Sequence, residues 1–142
     1  MDEDFFLYAE EAEWCSRIQR TGKLCIFGEH QTIHLEGSSA NQEFGAAGKG
    51  YYSLYDKKGL QIMLSNFVRI RKQFGLGWFV FHFAMHILTI PVFGIILIFE
   101  KIIFQGKSMY SFTQWNAFVR NIFKLAHYFP KIISGKPYFY KV

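Results

Sequence analysis

The sequence predicts a short α/β head followed by mostly α-helical, amphipathic and membrane-associated segments. Three observations carry that expectation: a polar, acid-rich opening with alternating helix and strand signals, apolar residues at helical spacing after residue 60, and an uncharged apolar run over 76–99. A chain of 142 residues fits one ordinary domain. Its 17 Phe, 8 Tyr and 3 Trp make 20% of the residues aromatic against 19% charged, more aromatic surface than a small soluble core uses. Lipid contact or a large interface follows.

Composition divides the chain into four parts: 1–50, a polar head; 51–75, an amphipathic helix; 76–104, an apolar re-entrant or transmembrane segment; and 105–142, a basic amphipathic helix and tail. Within the head, 9–20 suits a helix, with acids in its first turn, arginines in its last and Gly22 as a stop signal. Residues 23–27 and 31–35 read as short strands, and the Gly-, Ser- and Ala-rich stretch 36–50 as a loop.

Over 60–74 the apolar residues Leu60, Met63, Leu64, Phe67, Val68 and Phe74 recur at helical spacing, and Arg69, Arg71 and Lys72 give the helix a cationic finish before Gly75. The 24 residues 76–99 lack any Asp, Glu, Lys or Arg, enough to span a bilayer. Pro91 and Gly94 divide that run into 76–90 and 92–104, each shorter than a span. Basic residues flank both sides, so charge asymmetry gives no orientation. A re-entrant or interfacial hairpin accounts for this best; a single span and a buried soluble hairpin remain as alternatives. Ser111 and Gln114 make a capping-box pattern ahead of Phe112, Trp115, Val119, Ile122, Phe123 and Ala126, an amphipathic helix carrying Arg120 and Lys124.

The net charge of +5 is concentrated around the apolar run, which favours anionic lipid headgroups over nucleic acid. Cys15 and Cys25 have neither the number nor the spacing of a zinc site or a disulfide framework and are expected to be reduced. The acidic opening Asp2, Glu3 and Asp4 is the opposite of a secretory leader, which predicts a protein at the cytoplasmic face of the membrane.

On a helical projection of 9–20, Glu11 shares a face with Trp14, Cys15 and Ile18, while Glu10, Glu13, Arg17 and Arg20 turn the other way. Glu13 and Arg17, four apart, read as a solvated pair supporting the helix. A carboxylate on an apolar face loses hydration and becomes a better proton acceptor near neutral pH, as a general base requires. The alternative is that Glu11 only meets free amides of the first helical turn. Similarly, a histidine at the end of a strand, such as His34, is more often structural.

The order of Asp2, Glu3, Phe5, Phe6, Tyr8, Glu10, Glu11, Glu13, Trp14 and Arg17, followed by His34 in IHLEGSS, resembles the acceptor side of a family 2 glycosyltransferase of GT-A type, rhamnosyltransferase-like. The resemblance covers 2–39 and implies that the head is the C-terminal, acceptor-side portion of a GT-A-like domain. It further implies that Glu11 is the catalytic base, standing as Glu where the family has Asp, with Glu10 and Trp14 on the acceptor side. His34 would stand at a divalent metal, magnesium or manganese, and Gly37, Ser38 and Ser39 at the diphosphate or acceptor. The implied partners are a nucleotide-sugar donor, a glycan or lipid-linked acceptor and the membrane surface. The family's nucleotide-binding half, with its Asp-x-Asp motif, has no counterpart in these residues, so the isolated chain is expected to be inactive. Two other functions remain: a non-catalytic membrane-associated module or accessory subunit, and a small soluble interaction protein whose aromatic run forms an oligomer core.

Overall fold

The computed structural model describes residues 2–25, 27–29, 31, 42–45, 54–103 and 110–142. These are 70% helical, and none of them forms a strand. The helices are α1 (Glu10–Ile18), α2 (Lys57–Phe74), α3 (Leu76–Ile103), α4 (Phe112–His127) and α5 (Phe129–Ser134). The expected α/β head is therefore corrected: its described residues hold α1 and no strand, in a mostly α-helical chain. Lys23, Leu24, Cys25 and Phe27 are exposed and belong to no regular element, and the second expected strand lies outside the described residues beyond Gln31. A strand needs a neighbour to receive its amides and carbonyls, and among the described residues the one β-like contact is a lone parallel bridge between Phe5 and Tyr140.

Helix α2 is the centre of the molecule. Asp56 caps it by accepting a hydrogen bond from the Gly59 amide at 2.7 Å, and its apolar stripe of Leu60, Met63, Leu64, Phe67 and Val68 is almost wholly buried. Gly75, at a φ of 87°, turns the chain directly from α2 into α3, a conformation that favours glycine. The two helices then pack along each other, and α4 lies against both through Phe118, Ile122 and Leu125. An aromatic cluster closes the junction with α5: the Phe129 ring sits 4.2 Å from that of Phe83 and 4.8 Å from that of Phe79, centroid to centroid. Of these rings Phe79 is fully buried, which stabilises by about 1.5–3 kcal/mol.

Helix α3 runs unbroken for 28 residues with Pro91 inside it. The hairpin expected at Pro91 is thus not formed. Polar groups that would be awkward in so apolar a helix bond back onto it or across to α4. Thr89 donates to the Met85 carbonyl at 2.9 Å, and Nδ1 of His86 donates to the His82 carbonyl at 2.8 Å. Next to the proline, the Ile90 carbonyl accepts from Nε1 of Trp115 on α4 at 2.9 Å. Gly94 makes that approach possible, because a Cβ there would lie 3.3 Å from Nε1 of the same indole. By length and composition α3 is apolar enough to cross a membrane, with a mean hydropathy of 2.1 over an 18-residue stretch. Its inner edge of Phe79, Phe83, Ile90, Phe93 and Leu97 meets the core. Its outer edge of Trp78, Phe81, Met85, Leu88, Val92, Ile95, Phe99 and Ile102 is bare, with Ile102 69% exposed.

The two ends of the described chain are tied together over α2. Asp4 is buried; its carboxylate accepts from the Tyr138 amide at 2.9 Å and pairs with Lys72 of α2, which also holds Asp2. Gln61, fully buried on α2, donates to Ser65 at 3.1 Å and to the Tyr140 carbonyl at 2.9 Å, and accepts from the Val142 amide at 3.1 Å. Ser65 in turn donates to the Leu7 carbonyl at 2.6 Å.

Candidate functional site

Helix α1 begins at an unusual turn. Tyr8 and Ala9 both lie in the left-handed region, with φ of 69° and 65°, a conformation that costs a non-glycine residue on the order of 1–3 kcal/mol and tends to accompany sites whose geometry matters. Ala9 occupies the N-cap without a side chain able to bond the first amides. Three acids, Glu10, Glu11 and Glu13, fall in the first turn, where the helix dipole favours negative charge.

The way α1 sits on α2 reverses the expected faces. Glu13 is the buried acid, 5% exposed, and its Oε1 receives Arg17 Nε at 2.7 Å; the pair is half inside the protein and not on a solvated face. Oε2 of Glu13 and Oε2 of Glu10 are buried and have no hydrogen-bond partner among the described residues. Glu11 points outward and is exposed, and Trp14, one turn on, is 48% exposed. The reason is the docking itself. The Gln73 side chain of α2 donates to the Ala12 carbonyl at 3.3 Å, and the helix follows directly on the left-handed Tyr8–Ala9 turn. Glu11 and Trp14 therefore share an uncovered face, joined by half-buried Cys15 and Ile18.

Of the other residues singled out from the sequence, His34, Gly37, Ser38 and Ser39 lie outside the described residues. The described residues bring together no group of three His, Cys, Asp or Glu side chains able to hold a metal ion. Asp2 and Asp4 do not form a metal pair either, because both carboxylates are engaged by Lys72 and by backbone amides. His34, the residue that the resemblance places at a magnesium or manganese ion, is not among those described. Cys15 and Cys25 are free thiols.

No family model matches the chain, and no curated protein or solved structure matches it. What the geometry offers is an outward carboxylate and indole on a strained, buried-acid helix, mounted on a helical body with one bare apolar edge.

Electrostatics around the tie between the chain ends is the best defined in the molecule. At Asp2, burial pushes the carboxyl up, but the Lys72 ammonium and the Asp4 amide outweigh it and hold the group below its usual value of 3.8. At Lys72, burial pulls the ammonium down, and hydrogen bonds to Asp2 and Asp4 outweigh that and raise it above 10.5. Burial, with help from Asp4 and Tyr138, pushes the Tyr140 hydroxyl up to about 12. Sequence reasoning passed over Gln61, Ser65 and Asn121. Each is a polar residue set within an apolar stripe, Gln61 and Ser65 between Leu60, Leu64 and Val68, and that interruption was the signal available.

Proposed function

We propose that this chain supplies the acceptor side and the membrane contact of an inverting glycosyltransferase, with Glu11 as the base. The observation that carries the reading is the uncovered Glu11–Trp14 face of α1. A general base must be reachable by its substrate, and the Glu11 side chain makes no hydrogen bond or ion pair with another described residue. The motif order over 2–39, resembling that of family 2 glycosyltransferases, gives the reaction class. In that reaction the acceptor hydroxyl oxygen attacks the anomeric carbon of a nucleotide sugar. The new C–O bond forms as the bond to the diphosphate breaks, the diphosphate leaves with the electron pair, and the Glu11 carboxylate takes the hydroxyl proton. Trp14 offers a flat apolar surface beside it for a sugar ring. The nucleotide-binding half must be brought beside α1, and it would cover the face that α1 leaves bare.

In membranes carrying this chain together with such a half, Glu11→Gln is expected to lower transfer from a nucleotide sugar by on the order of 10²–10⁴-fold while leaving donor affinity unchanged. Turnover equal to that of the unmodified protein would reject the assignment.

The bare edge of α3 favours a second component of the reading, attachment to the cytoplasmic face of a bilayer. A helix of 28 residues is about 42 Å long, and α2 and α4 lie along its inner edge carrying Arg69, Arg71, Lys72, Arg120 and Lys124. Spanning would carry those cations into hydrocarbon, at a cost of several kcal/mol each. Lying in the interface buries only the outer edge and leaves the cations at phosphate level. If α3 attaches the chain but no nucleotide sugar is bound even with a donor half present, the chain is a non-catalytic membrane module.

A further inference from the structure

A cavity of about 500 Å³ opens between the start of α2 and the outer side of α4. Arg120, Asn121 and Lys124, at helical spacing on α4, form one wall, Lys57 and Tyr55 the other, and His127 stands at its end. Asn121 fixes the walls relative to each other by donating to the Leu54 carbonyl at 3.0 Å and the Asp56 carbonyl at 2.9 Å. The one acid in the lining is Asp56, and one of its oxygens is occupied by the cap of α2. Lys57 stacks over the Phe44 ring at 5.7 Å, whereas Arg120 and Lys124 make no ion pair with a described residue. Three cations thus line a pocket whose one acid leaves an excess of positive charge, an arrangement that fits a phosphate.

A second groove of about 380 Å³ meets the first at Tyr55, which lines both. Its walls are mainly apolar, Leu54, Met85, Phe93 and Phe118, with His82, His86 and Thr89 set among them, and Met85 and Thr89 open it onto the exposed edge of α3. A cationic pocket that shares Tyr55 with a mainly apolar groove reaching a bare hydrophobic helix matches a ligand with an anionic head and a hydrocarbon tail. We infer that the chain seats one phosphate-bearing lipid, its phosphate among Lys57, Arg120 and Lys124 and its acyl chain along the groove from Tyr55 to α3. This rests on the membrane-contact part of the function proposed above and is independent of Glu11.

The test uses the full chain with phosphatidylcholine vesicles containing phosphatidylglycerol that carries a photoactivatable acyl chain. Crosslinks are expected on the segments holding Leu54–Tyr55 and Met85–Phe93. The double variant R120Q/K124Q, checked for folding by circular dichroism, is expected to lose at least about tenfold in binding to these vesicles, whereas R20Q/K23Q, with the same change in net charge, loses much less. Equal losses in the two variants, or labelling confined to outer-edge residues such as Ile102, overturns the site while leaving membrane contact intact. No binding to any vesicle overturns both. Inorganic phosphate alone, followed through the His127 ring resonances, separates the sources: saturation by free phosphate without groove labelling by the lipid assigns the pocket to a soluble anion and rejects the lipid.

Discussion

A single buried amide shows how much of this structure depends on polar residues placed inside apolar stripes. Gln61 satisfies a carbonyl and an amide of the C-terminal tail as well as the Ser65 hydroxyl. Gln61→Ala would leave the Tyr140 carbonyl and Val142 amide without partners, at about 1–3 kcal/mol for each buried group, so a loss of about 2–4 kcal/mol is expected from urea unfolding. A loss below 1 kcal/mol would mean that the tail is not held there. Gly94 provides a sharper test, because two effects oppose each other. Alanine gains about 1 kcal/mol of helix propensity over glycine, yet its Cβ would press on an indole anchored by a hydrogen bond. Gly94→Ala is expected to destabilise by about 1 kcal/mol in the native background and to stabilise in a Trp115→Phe background. A double-mutant cycle showing simple additivity would remove the contact from the account. Neither feature could be read from periodicity alone, which marks a position as inward but does not name its partner. The faces of α1 were predicted the wrong way round for the same reason. A helical projection finds the apolar side, but in a helix of nine residues held down by its backbone the apolar side is not compelled to face the body.

The longer elements were far more legible. The apolar stripe of α2 and the capping box of α4 both act as their residues suggest, with the Ser111 side chain accepting from the Gln114 amide at 3.1 Å. The strand expected over 23–27 failed because strand propensity is a statement about fitting a sheet, and no described residue offers one. Pro91 failed as a helix breaker because its cost is local, whereas the packing of α3 on α2 and α4 extends over the length of the helix. A continuous α3 makes its position in a bilayer measurable. With fluorophores placed singly at Phe81, Leu88, Ile95 and Ile102, lipid-borne quenchers should report the same shallow depth at all four, about 5–10 Å below the headgroups. A depth that increases to the middle of the helix and decreases again would establish a span and end the interfacial reading.

For the molecule as a whole, the tie between its ends predicts how stability varies with pH. Asp2 has a folded value below its ordinary 3.8, so its contribution is present above about pH 4 and is lost as the pH falls through the lowered folded value. Lys72 and Tyr140 are both raised, so their contributions are complete below about pH 10 and are lost as the pH climbs from 10 towards about 12. Thermal midpoints should therefore hold level between these limits and fall at each. Tyr140→Phe should flatten the alkaline limb and Asp2→Asn the acid one. An alkaline limb unchanged in Tyr140→Phe would place the sensitive group elsewhere.

The bond from the Tyr138 amide to Asp4 joins residues 134 positions apart, and this imposes an order on events during synthesis. At about 5–20 residues per second, the acidic segment waits on the order of ten seconds for its partner to be made. Within that interval α2 and α3 have already been translated, and the bare edge of α3 can meet lipid while α1 is still unfastened. On the membrane attachment proposed above, the clasp between Asp4 and the tail would close on a chain already resting on its bilayer, so attachment would come before closure in time as well as in space.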